Sequence, residues 1–260
     1  MAKLQKPALR KESLSARERA YRHIQEQIAQ GVLGAGMPLS ELLLAKELGS
    51  SRTPIREAIG QLAAEGLVEQ TRNRGAVVRQ MTRNDITDLY EVREALEVFA
   101  ASKVAMRGVP VDDLARLQEA NAGILELRDE LIASGQTTLD DERIERFVRL
   151  DLSFHALIVL LTLNARMRKI INETRVLIQI FAMRRRGHDA AMLDRIWRQH
   201  TAVTEALVNR RPEEARQILS EHIQNSLRER LEEFDAWDRQ NAMAADMAGM
   251  TGRGKLLSLR

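Results

Sequence analysis

The chain has 260 residues, 44% of them hydrophobic, 30% charged and only 3% aromatic, with no cysteine. Zero cysteines exclude disulfides, thiolate metal sites and cysteine nucleophiles, and fit a reducing cytoplasm. No apolar run reaches membrane-spanning length and the basic N-terminus lacks a signal-peptide core, so neither a membrane partner nor export is expected. The net charge of +3 is uneven: residues 1–80 hold 4 Lys and 9 Arg against 8 Glu and no Asp, while the remainder holds 27 basic and 29 acidic groups. That places the positive surplus at the front, where a polyanionic partner would be met.

In chain order, residues 1–13 read as a loose basic arm. Ser15-Ala16-Arg17-Glu18 has capping-box spacing and opens a helix to about Gln30, with Tyr21, Ile24 and Ile28 on one side, stopped by Gly31. Residues 34–38 form a turn. A short helix follows with Leu42, Leu43 and Ala45 as its buried side, then a turn at Gly49 and a second helix buried through Ile55, Ile59 and Leu62. Ser51 is placed to cap that helix, and Pro54 falls in its first turn, where the missing N–H costs little. Arg52, Thr53 and Arg56 then point outward at its front end, as a recognition helix requires. Gly66 ends it, and residues 67–68 and 76–78 flank a basic turn with Arg72, Arg74 and Gly75, placed like a wing. Residues 1–80 are thus a winged helix-turn-helix DNA-binding domain.

After the wing, Thr82-Arg83-Asn84-Asp85 resembles a cap, and a helix over 85–106 carries the stripe Leu89, Val92, Leu96, Phe99-Ala100 and Val104. Further helices are expected over 111–132, 141–162, 164–186, 190–209 and 212–236, the last opened by Pro212. Their period and short connections give an all-α antiparallel bundle over 81–236, so the fold class is mainly α. Residues 237–260 lose the pattern and are expected as a loosely ordered tail.

Helix 141–162 places Asp151 and His155 four apart on an otherwise apolar face, where carboxylate and imidazole can converge. An inward aspartate is costly unless paired or bound to a metal. His200 and His222 also fall on apolar faces, so three of the five histidines point into the bundle beside one carboxylate. A lone inward histidine is more often a hydrogen-bonded core residue. Four such groups together make a set suited to zinc first, and to nickel, manganese or iron. Both alternatives stand on spacing alone. His23 lies in the first domain and His188 in a turn, outside the set. Arg93 sits near the inner face of its helix, where its planar fork suits the carboxylate of a small acid; the alternatives are an ion pair with Asp151 or Glu97, or a position at the rim. Asn172 and Arg175 are placed where they could reach the same cavity. Arg184-Arg185-Arg186 reads as a solvated helix end.

These residues together resemble the GntR family of bacterial transcription regulators, in the branch with the helical FCD effector domain of the fatty-acid-responsive regulator. The first domain does so through Ser51-Arg52-Thr53-Pro54-Ile55-Arg56-Glu57-Ala58-Ile59, Leu62, Glu65-Gly66-Leu67 and Asn73-Arg74-Gly75. The second does so through Arg93-Glu94-Ala95-Leu96-Glu97, Asp151-Leu152-Ser153-Phe154-His155, Asn164, His200 and His222. The resemblance implies a homodimer on a pseudo-palindromic double-stranded operator, read by Arg52, Thr53 and Arg56, with Gly75 letting the wing approach the minor groove. It implies metal ligation by Asp151, His155, His200 and His222, and an effector cavity lined by Arg93. Ser50 stands where valine is usual, and Leu42 where the fatty-acid regulator has a DNA-contacting arginine, so operator preference does not transfer. Six helices after the wing favour the vanillate-regulator-like subgroup.

The expected function is a repressor controlled by a small organic acid bound at a metal-containing cavity. Two rivals stand beside it. A metal-dependent, hydrolase-like enzyme could activate water at the same cluster, although no independent base or nucleophile accompanies the ligands. A regulator whose metal is purely structural or absent is the other; direct metal sensing is a third reading, set below both.

Overall fold

The structure is a computed structural model that describes residues 14–71, 75–182 and 187–254, apart from the side chains of residues 71, 175–176, 178–182, 241–242 and 244–254. The chain divides into two compact units, Met1–Gln80 and Met81–Arg260.

In the first unit, α1 (Ala16–Ala29) starts where the Ser15 side chain accepts the Glu18 N–H at 3.1 Å. Strand β1 (Pro38–Leu39), α2 (Glu41–Glu47), α3 (Arg52–Ala64), β2 (Val68–Thr71) and β3 (Gly75–Val78) follow. The strands form one antiparallel sheet in the order β1-β3-β2, with Thr71 opposite Gly75 at the wing and Pro38 opposite Val77. Strand β1 lies partly in the stretch expected as a turn; two residues are too few to leave an alternation. Ile24, Ile28, Ile55, Ala58, Ile59 and Leu62 form the core, so α3 is buried on the expected face. Helix α2 is so only in part: Ala45 is buried as expected, but Leu42 and Leu43 are 65% and 66% exposed and Leu44 is buried in their place. Seven residues make two turns, too short for apolar spacing to fix a helix's rotation when three leucines run together.

In the second unit six helices follow the wing among the described residues: α4 (Arg83–Arg107), α5 (Val111–Ser134), α6 (Asp141–Leu161), α7 (Ala165–Ala182), α8 (Ala190–Val208) and α9 (Pro212–Gly254). Several of their starts are set by side-chain caps. Thr82 and Asp85 exchange a complete capping box, Asp140 accepts from the Arg143 N–H at 2.9 Å, and Asp189 accepts from the Met192 N–H at 2.8 Å. Helix α9 runs to Gly254, well past the expected end near 236. The Ala- and Met-rich sequence there has high helix propensity although it lacks an apolar stripe.

Helix α4 meets the expected stripe only in part: Ala100 and Val104 are buried and Leu89 and Leu96 pack partly buried on the core, but Val92 and Phe99 are not covered. Its buried side carries Ile86, Tyr90, Arg93, Glu97, Ala100, Ala101 and Val104, whereas Val92, Phe99 and Met106 are exposed. The bundle core has two apolar clusters, one including Tyr90, Val104, Phe154, Ile158, Val203 and Leu219, the other including Ile124, Leu127, Phe147 and Leu193. Along α6 and α8, Asp151 and His200 fall where one cluster gives way to the other. No described helix is long and apolar enough to cross a membrane.

Candidate metal and nucleic-acid sites

Three helices bring the second unit's polar cluster together. Asp151 and His155 come from α6, His200 from α8 and His222 from α9, each offering one ligand atom, and these atoms lie within 4.8 Å of one another. His155 Nε2 is 3.2 Å from His222 Nε2 and 3.6 Å from Asp151 Oδ1, and His200 Nε2 is 3.7 Å from the same oxygen. All three imidazoles are buried.

The far side of two rings fixes which nitrogen faces inward. His155 Nδ1 lies 2.6 Å from Glu97 Oε2, and His222 Nδ1 lies 3.0 Å from Gln199 Oε1. Both partners present oxygens, which favours a proton on each Nδ1 and turns each Nε2 toward the cluster. The two Nε2 atoms meet at 3.2 Å, a contact satisfied by a proton held between them or by a metal ion bound to both. His200 has no hydrogen bond to either ring nitrogen and is held by stacking on Phe154, centroids 3.9 Å apart and planes 5° from parallel. A transition metal with bonds of about 2.1 Å holds neighbouring ligand atoms roughly 3–4.2 Å apart, so small side-chain rotations suffice. Buried nitrogen lone pairs, one carboxylate and a carboxylate backing His155 fit a divalent transition metal.

The electrostatics agree. Burial pushes His200 well below its usual range and His222 down to about 3, each reinforced by the neighbouring imidazoles, so both stay neutral. Burial opposes ionisation of Asp151, but His155 and Arg93 outweigh it and hold the carboxyl well below the usual range.

Sequence spacing leaves Arg93 between a ligand contact and an ion pair; the pair is what forms. Its Nε donates to Glu97 Oε1 at 3.1 Å, both side chains are buried, and the guanidinium lies 5.6 Å from the Tyr90 ring centroid. Arg93, Glu97 and His155 thus form one buried chain of contacts leading to the cluster. A cavity of about 20 Å³ lies alongside, lined in part by Arg93, Asp151, His188, Ser226, Glu229 and Arg230. Asn172 is exposed on α7 and does not line it, contrary to expectation; the rotation of α7 had no anchor in the sequence. The side chain of Arg175 lies outside the described residues.

Gln199 went unrecognised in the sequence, His188 was set aside as a turn residue, and Glu97 was read only as an alternative partner of Arg93 and not as the partner of His155. Glu97 had a signal, being four residues after Arg93 on the same face. His188 precedes α8 at the end of a turn, yet it is buried against Phe147 with centroids 4.7 Å apart, and burial lowers its pKa to about 4.

In the first unit Ser51, Arg52, Thr53 and Arg56 are exposed at the start of α3. Ser51 occupies the cap position but its hydroxyl makes no capping bond. The arginines are not free. Glu41 accepts from Arg56 Nε and Nη2, both at 2.9 Å, and from Arg52 Nη2 at 3.1 Å. These arginine contacts, Arg56 foremost, hold Glu41 down to about 2. Gly75 opens β3 with φ +75°, a left-handed conformation that favours glycine. Arg72 and Arg74 lie outside the described residues.

A winged helix joined to a helical unit with a buried ligand cluster defines a DNA-binding transcription regulator. The family comparisons agree. Residues 16–78 match the model of the bacterial regulatory proteins of the gntR family, and residues 88–225 match the FCD domain. A "Probable D-xylose utilization operon transcriptional repressor" of Paenarthrobacter nicotinovorans is 31% identical over 76% of this chain and 80% of its own length. A gluconate operon transcriptional repressor of Bacillus licheniformis is 35% identical over 47% of this chain and 51% of its own length. The structure of E. coli McbR/YncC superposes with a TM-score of 0.66 at 19% identity, over 85% of this chain and all of that one, a likeness of fold. The chain belongs to the GntR family of transcription regulators and carries an FCD effector domain. That family relationship is to regulators and not to enzymes.

Proposed function

We propose that the protein is a repressor that binds a pseudo-palindromic operator as a homodimer and releases it when a small organic acid enters the cavity beside the His/Asp cluster. The observation that carries this is the facing pair of imidazole Nε2 atoms, 3.2 Å apart, beside Asp151 and a buried arginine. Asp151, His155, His200 and His222 would hold the metal, zinc first, and a bound ion would supply positive charge and an open position for a carboxylate oxygen.

An entering acid would compete with Glu97 for the Arg93 guanidinium. The cavity of about 20 Å³ holds roughly one water, so the helices must part to admit an acid. The groups involved sit on α4, α6, α8 and α9, and α4 follows the wing after four residues. A few kcal/mol of preference for the parted state would suffice to shift the operator-binding equilibrium. The gluconate repressor among the relatives makes sugar acids the first class to test.

On the DNA side, Arg52, Thr53 and Arg56 would meet base edges, with Ser51 and the wing residues Arg72, Arg74 and Gly75 at the backbone and minor groove. Homodimerisation is supported by the α4 stripe Val92, Phe99 and Met106, exposed every seven residues, with the exposed Ile170 on the neighbouring α7. The six helices after the wing are the number expected for the vanillate-regulator-like subgroup.

The test pairs metal analysis of the purified chain with DNA binding across a panel of sugar acids, hydroxy acids and dicarboxylates. A bound transition metal is expected, with one acid class weakening DNA binding. His200→Ala should abolish that response while DNA affinity persists. Equal acid response in wild type and metal-free His200→Ala would leave the metal without a role in sensing.

A further inference from the structure

The three hydrogen bonds at Glu41 use the arginines selectively. Arg56 meets the carboxylate side-on through Nε and Nη2, and Arg52 meets it through Nη2 alone. A guanidinium held side-on keeps its other edge, formed by the two terminal nitrogens, for a second partner. That edge is the one that pairs with O6 and N7 of a guanine. The three side chains are solvent-accessible, 60% for Arg52, 65% for Arg56 and 25% for Glu41, so DNA can reach the clamp without unfolding anything. The carboxylate also lies between two like charges one helical turn apart, which would otherwise repel each other and seek phosphates independently.

We propose that Glu41 is a positioning residue for DNA reading, holding Arg52 and Arg56 so that their free edges face bases while it cancels one of their two charges. This rests on the assignment of both arginines as DNA readers. Two consequences follow. The clamp reduces the rotamer freedom that base pairing would otherwise have to freeze. It also lowers sequence-independent attraction to phosphate, because the pair presents one net charge where it would present two. Glu41 therefore favours discrimination over total affinity.

The full-length wild type and Glu41→Gln are each equilibrated with a duplex pool randomised over about two helical turns. Affinity for the wild type's enriched duplex and for a shuffled duplex is then followed across a salt series. Glu41→Gln is expected to bind the shuffled duplex more tightly with a salt slope steeper by about one. It should discriminate the enriched duplex about tenfold less well, the scale of one good base contact. In an Arg56→Ala background, Glu41→Gln should alter discrimination clearly less than in the wild type, because the residue that makes two of its three hydrogen bonds is gone and only Arg52 remains to be held. Glu41→Asp keeps the charge and should keep the wild-type slope, a readout that loss of folding does not imitate. Wild-type slope and discrimination in Glu41→Gln would overturn the clamp, as would an undiminished effect without Arg56. Failure of the wild type to enrich any sequence would instead overturn DNA reading itself, and the clamp with it.

Discussion

Helices α3 and α4 are inverted versions of each other. Helix α3 buries Ile55, Ala58, Ile59 and Leu62 and turns Arg52, Thr53 and Arg56 to solvent. Helix α4 buries Arg93 and Glu97 and turns Val92, Phe99 and Met106 outward. Apolar spacing locates a helix's greasy side but not what covers that side, which is the protein's own core for α3 and, we propose, a second subunit for α4. The charges differ in the same sense. The exposed Glu41 clamp keeps its groups hydrated, whereas the Arg93–Glu97 pair has given up its solvation and depends on its contacts.

The sharpest way to break this comparison is Glu97→Leu. It leaves a buried guanidinium beside Asp151 without its nearest carboxylate and is expected to cost about 3–5 kcal/mol in urea unfolding. A cost under about 1 kcal/mol would mean that the α4 interior behaves like the α3 exterior.

Next in size is an acid effect at His188. Its pKa of about 4 in the folded state lies below the ordinary value of 6.5, so the unfolded chain binds the proton first. Its contribution is complete above pH 6.5 and is lost as pH falls, reaching about 3 kcal/mol by pH 4. Comparing the pH dependence of unfolding in wild type and His188→Gln isolates that group; identical curves would contradict its buried neutral state.

The smallest expected change in subunit stability comes from Phe99→Glu on the outer stripe. The second unit should unfold within about 0.5 kcal/mol of wild type, while sedimentation shifts from dimer to monomer and DNA affinity falls. A dimer unaffected by the charge would place the subunit contact elsewhere.

The legibility of the sequence follows the same physics. Where a long helix had one apolar side and a polar one, as in α3 and α6, the rotation was readable, and Asp151, His155, His200 and His222 were assembled from spacing. Caps at Thr82 and starts such as Pro212 were readable because their chemistry is local. Helix α2 was too short to orient, and α4 misled because its interior holds charge. Gln199 belongs to His222 through a contact between α8 and α9 that no single-helix periodicity records. The helical continuation beyond residue 236 was hidden because loss of amphipathicity resembles loss of helix.

The small volume beside the cluster has a consequence in time. If about 20 Å³ is all the space available, an inducer cannot enter at the rate at which it collides with the protein. Uptake would wait on helix breathing, on the order of microseconds to milliseconds or longer, and would level off as concentration rises.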